Sequence, residues 1–159
     1  MNRIQKCVQD LVIEHGSAEP KNICENMGII ILSSELPERV NGFTTKCRGR
    51  WFIVLNDMLD DDRKRFTAAH ELGHVVLHGC TNSINLSMNT YFCTSKYERE
   101  ADTFAAYLLL MAEYDRCAEC EFTIGQASQV ACIPEEKVED ILLGGDHSEV
   151  FFEEFRQGI

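Results

Sequence analysis

The chain has 159 residues, enough for one compact domain (1–159) with a sizeable core. Its formal net charge of −11, with no run of Lys or Arg, sets it against polyanions such as nucleic acid or an anionic membrane surface. No apolar stretch has the length of a membrane span or the make-up of a secretory leader, so a cytoplasmic protein is expected, its eight cysteines free thiols.

The elements are predicted in chain order as follows. Residues 3–15 carry Ile4, Cys7, Val8, Leu11 and Val12 on one helical face, closing at Gly16. Pro20 suits the first position of a short helix to about Met27, ended by Gly28. Ile29–Leu32 is an apolar run of strand type, and Asn41-Gly42 is a turn signal. Phe43–Cys47 and Trp51–Leu55 flank Arg48-Gly49-Arg50 as a hairpin. Asp60-Asp61-Asp62 gives an acidic start, favourable to the dipole, to a helix reaching His78, with Gly79 as its stop.

The Ser-, Asn- and Thr-rich stretch 80–94 reads as a loop. A helix follows over 95–113, with Ala101, Phe104, Ala105, Leu108 and Met111 as its apolar stripe. Thr123 caps a helix over 124–131, and Pro134 opens another to about Leu143. The fold class expected is α+β: a small antiparallel or mixed sheet of about three strands on two long helices (core 1–115), with a C-terminal helical pair of helix-turn-helix type (121–145).

The chemistry centres on His70-Glu71-Leu72-Gly73-His74, an H-E-x-x-H motif expected roughly 0.02 times by chance in a chain with 5 His. Residues four apart on a helix differ by about 40° around its axis and about 6 Å along it, so both imidazoles can reach one ion. Glu71 then lies beside the ion's open position, where it can take a proton from water. The bland alternative is a solvated polar stripe or a hydrogen-bonded core pair. Phe66, Ala68, Ala69, Leu72, Val75, Val76 and Leu77 make the segment apolar nearly all round, which buries it. Buried imidazoles and a carboxylate need satisfying, and one catalytic zinc ion would do so.

A catalytic zinc takes a third protein ligand and keeps one place for water. A further His six residues beyond the motif is one known solution, but position 80 is Cys80. A Glu on a later helix with an Asp one turn on is another, and Glu98 and Asp102 offer it. Glu98 would bind the ion, and Asp102 would hold a ligating His through its other ring nitrogen. Two alternatives stand: Ser95-x-x-Glu98 also fits a capping box, and Glu100 could be the ligand instead. His78 continues the His70/His74 stripe and reads as a helix-end or packing histidine, since four ligands would shut out water. Tyr91, Tyr97 and His147 are open alternatives for steadying an oxyanion. Cys117-x-x-Cys120 lacks the second pair of a structural zinc site and reads as ordinary thiols.

Several segments together resemble the ImmA/IrrE family of zinc metallopeptidases. They are Asn41-Gly42-Phe43; Phe52-Ile53-Val54-Leu55-Asn56; Arg65-Phe66-Thr67-Ala68-Ala69 through His78; and Glu98-x-Glu100-Ala101-Asp102-x-Phe104-Ala105-Ala106-x-Leu108-Leu109. The resemblance spans residues 20–112 and implies a gluzincin-like core, His70, His74 and Glu98 as zinc ligands, and Glu71 as general base. With no large C-terminal sensor domain, the chain looks like the short ImmA-type members of mobile elements and prophages, anti-repressors that cleave a helix-turn-helix repressor. One departure is visible: many members end the second motif with Met-Pro, whereas Met111 here precedes Ala112.

Two other classes compete. A DNA-binding regulator would use 123–143, yet Glu135, Glu136, Glu139 and Asp140 against Lys137 give that pair the wrong sign for phosphate. A non-catalytic zinc protein would bind a repressor through the same ligands without cutting it.

Overall fold

The computed structural model describes residues 3–79 and 91–116 (side chains over 96–113 in the second stretch), with Gly125, Ser128, Gln129, Glu135 and Val138. Seven elements follow in order: α1 (Arg3–His15), α2 (Pro20–Asn26), β1 (Ile30–Ser34), β2 (Gly42–Cys47), β3 (Arg50–Asn56), α3 (Asp61–His78) and α4 (Tyr91–Arg116). The architecture is α+β, as the patterning predicts. The expected helical pair over 121–145, Cys117, Cys120 and His147 lie outside the described residues, apart from the five single positions named.

The sheet is mixed, in the order β1-β3-β2. β1 runs parallel to β3 (Ile31 opposite Ile53), and β2 pairs antiparallel with it (Thr44 opposite Ile53). Two residues, Arg48 (φ 49°) and Gly49 (φ 82°), turn the hairpin. Positive φ at both positions gives the twist that a two-residue hairpin needs, and Gly takes its share without strain. Arg50, expected in the loop, is the first residue of β3. Among the described residues, β2 keeps one edge free.

Asn41-Gly42 is not the turn its local propensity suggests. Gly42 opens β2, paired with Leu55, and a Cβ there would lie 2.8 Å from both Thr67 Cγ2 and the Val54 carbonyl. Tertiary pairing overrides the dipeptide's preference, and glycine serves to bring β2 close to α3. Buried Asn56 fastens the segment before β2: its amide donates to the carbonyls of Leu36 (3.3 Å) and Val40 (2.9 Å).

Asp60 caps α3, its carboxylate accepting from the Arg63 amide at 2.8 Å, while Asp61 and Asp62 add charge favourable to the dipole. The helix ends at His78. Gly79 is not left-handed (φ −52°), and a Cβ there would strike the Val75 carbonyl. Arg65 ties three helices' surroundings together, meeting Glu19 before α2 at 2.6 Å and Glu113 on α4 at 2.7 Å.

α4 begins at Tyr91, four residues before the predicted start, and runs to Arg116. Ser95 is therefore inside the helix, which removes the capping-box alternative for Glu98. The expected stripe is also too narrow: every residue from Phe104 to Ala112 is buried. α4 is the central helix of the core, packed on α3 and α1, and burying Phe104 alone stabilises by about 2–3 kcal/mol. Val138 is buried in the same core. No helix of the described residues is long and apolar enough to cross a membrane, and Cys7, Cys24 and Cys47 are free thiols.

Candidate metal centre

The site forms where α3 crosses α4. Gly73, inside the H-E-x-x-H segment, sets their separation: a Cβ would lie 3.0 Å from Phe104 Cδ1 and 3.3 Å from the Ala101 Cα. With no side chain between them, the imidazoles of α3 face the carboxylates of α4.

Nε2 of His70 and Nε2 of His74 are 3.1 Å apart. Glu98 reaches both, with Oε2 3.3 Å from His70 Nε2 and Oε1 3.4 Å from His74 Nε2. On the far side of the ring, Nδ1 of His70 is 3.0 Å from Asp102 Oδ1. Asp102 is thus placed to accept a hydrogen bond from Nδ1, which in a metal-bound state would leave Nε2 free to ligate.

Two facing imidazole nitrogens and a carboxylate need a positive charge between them. Burial opposes that charge on His70, but the bonds to Asp102 and Glu98 and the field of Glu71 outweigh it, raising the imidazole to about 9. Hydrogen bonds from His70 and then His74 hold Glu98 well below the usual carboxylate range, against the effect of burial. A tetrahedral ion with bonds of about 2.0–2.1 Å has ligand–ligand edges of about 3.3–3.4 Å. The imidazole nitrogens, 3.1 Å apart, and the two Glu98 oxygens, at 3.3 and 3.4 Å from them, come close to those edges, and His70, His74 and Glu98 are the group of described residues able to hold a metal ion.

Glu100, the other candidate third ligand, points elsewhere: its Oε2 is 3.5 Å from Nε2 of His78, with Lys96 3.8 Å from its Oε1. His78 is packed, its side chain 6% exposed, its ring 4.5 Å from that of Tyr97. Burial lowers its pKa and outweighs the pull of Glu100. The ring of Tyr97 is thus engaged with His78, while the side chain of Tyr91 lies outside the described residues.

Glu71 is buried beside His70, and its Oε2 accepts a 2.6 Å hydrogen bond from the hydroxyl of Thr44 on β2. Sequence reasoning passed over Thr44: a β-branched residue in a strand carries no mark of its partner 27 positions away. A cleft of about 350 Å³ opens over this carboxylate, walled by Arg39, Val40, Asn41 and Gly42 on one side and by Phe66, Thr67 and His70 on the other.

Residues 24–119 match the sequence profile of the IrrE N-terminal-like domain, a peptidase family. The chain is 30% identical over 137 residues to immunity region protein 2 of Bacillus phage phi105, covering 84% of this chain and 85% of that protein. It is 31% identical over 109 residues to the metallopeptidase ImmA of Bacillus subtilis (strain 168), covering 67% of this chain and 63% of that protein.

Proposed function

The chain belongs to the ImmA/IrrE family of metallopeptidases, and from that premise we propose that it is a zinc-dependent endopeptidase of gluzincin type. In this reading His70, His74 and Glu98 hold one catalytic zinc ion, Glu71 is the general base, and Asp102 supports His70. The observation that carries it is the meeting of two imidazole nitrogens and the Glu98 carboxylate, within 3.1–3.4 Å of one another, beside a buried carboxylate that lines a cleft.

When bound, zinc supplies Lewis acidity, polarising the scissile carbonyl and bringing the pKa of water down to about 7. Glu71 accepts the proton of the attacking water on its carboxylate and returns it to the leaving amine. With the metal bound, Asp102 would keep His70 in one tautomer by accepting a hydrogen bond from its Nδ1–H. The free edge of β2 pairs backbone to backbone with an extended substrate, which lies in the cleft against residues 39–42.

The substrate we assign is a helix-turn-helix transcriptional repressor, cleaved so that its operon is relieved. A phage immunity-region relative and the relative named ImmA support that choice, and so does charge. A repressor must be basic where it meets phosphate, and a partner of net charge −11 attracts it. The same charge disfavours direct binding to nucleic acid. The protease is cytoplasmic, with residues 1–115 as its peptidase core and 121–145 as a helical subdomain of one compact domain.

The test is incubation with the helix-turn-helix repressor encoded beside this chain, with and without chelator, read by the masses of the fragments. Cleavage by the metal-loaded protein is expected, with none after chelation. Glu71→Gln is expected to retain the metal and lose cleavage by about 10²–10⁴-fold. Stable binding of the repressor without fragments would refute the enzymatic reading in favour of a non-catalytic one.

A further inference from the structure

Glu71 sits one residue from His70, and its charge is felt at that imidazole. A carboxylate so placed is itself a competent zinc ligand, and a fourth protein ligand would close a tetrahedral site to water. Something must hold it as a base beside the ion rather than as a ligand on it. We propose that Thr44 is the positioning residue that does so, tying Oε2 of Glu71 to β2 through the 2.6 Å hydrogen bond. The inference rests on the hydrolytic reading given above.

The threonine hydroxyl has one proton, and its nearer acceptor is the carboxylate; the Glu71 carbonyl lies at 3.3 Å. Its anchor is stiff. Thr44 is paired with Ile53, which is fully buried. Two residues earlier, Gly42 brings β2 too close to Thr67 for any Cβ. A threonine favoured only for strand propensity would serve as well in the exposed setting of its neighbours Phe43 and Thr45, but Thr44 alone of the three is drawn inward, onto α3. Because β2 is also an edge strand of the sheet among the described residues, the strand that would align a substrate is the one that places the base.

Thr44→Val removes the hydroxyl at nearly constant shape, and Thr44→Ser restores it. With cobalt(II) in place of zinc, T44V is expected to bind one equivalent with altered visible absorption bands, as Glu71 joins the ligands. The double variant T44V/E71Q should return towards the unaltered spectrum. Against the adjacent repressor, kcat is expected to fall about ten- to a hundredfold with KM unchanged, and T44S should recover most of it.

An unaltered cobalt spectrum in T44V overturns the proposal, as does an unaltered kcat, or a T44S variant as slow as T44V. A structure of the zinc-loaded, unaltered chain decides the matter even if T44V does not fold: Glu71 on the metal, or Oε2 away from Thr44, sinks it. If the unaltered protein cuts no repressor, the hydrolytic reading fails, and the cobalt spectra alone judge Thr44.

Discussion

The carboxylate of Asp102 lies 3.0 Å from Nδ1 of His70, on the opposite side of the ring from Glu98. A single imidazole therefore spans two acidic residues of α4 one turn apart, which fixes its plane. If His70 ligates a metal, the support should be measurable as affinity. Asp102→Ala is expected to raise the zinc dissociation constant by about 10–100-fold. Asp102→Asn should lie at the mild end of that range, because its amide oxygen still accepts the Nδ1 proton. Competition with a chromophoric chelator measures both, and unchanged affinity in the alanine variant would show that His70 needs no such partner.

Glu98 and Glu100 lie two residues apart but serve different histidines. Glu98→Gln is expected to leave the purified protein with little or no zinc, since it replaces the charged member of the ligand set. Glu100→Gln should keep one equivalent and change stability by no more than about 0.5 kcal/mol, since Glu100 only lies near packed, neutral His78 without a hydrogen bond to its Nε2. Metal-to-protein ratios after gel filtration, with thermal melts, separate the two. Zinc lost from E100Q and kept in E98Q would transfer the third ligand to Glu100.

Much of this arrangement was legible because its signals are local. The acidic cap at Asp60, the Arg48-Gly49 turn and the His70–His74 spacing all act within one turn of chain. Glu98 and Asp102 could be singled out together because four-residue spacing puts them on one face. What was illegible depends on residues far apart in sequence. Asn41-Gly42 looks like a turn until β2 is paired with β3 and pressed on Thr67. The start of α4 at Tyr91 was hidden in a stretch rich in Ser, Asn and Thr, residue types that favour turns and caps over helix interiors. Its burial on all sides, from Phe104 to Ala112, follows from being enclosed by other elements, which periodicity within one segment does not reveal. Thr44 and Gly73 carried no signal at all, because each matters through a neighbour on another element.

Gly73 offers the sharpest test of how the helices set the site. By intrinsic propensity alone, Gly73→Ala in the middle of α3 should stabilise the protein by about 1 kcal/mol. Contact works against it. The new methyl would lie 3.0 Å from the ring of Phe104, a fully buried residue, and 3.3 Å from the backbone of Ala101. Neither can yield without shifting α4, and overpacking of this kind costs about 1–3 kcal/mol. The expected outcome is therefore a melting temperature no higher than that of the unaltered chain, together with weaker zinc binding, since a few tenths of an ångström between α3 and α4 stretches both His–Glu98 distances at once. A G73A variant that is stabilised and binds zinc as tightly as before would show that the two helices do not set the spacing of the donor atoms.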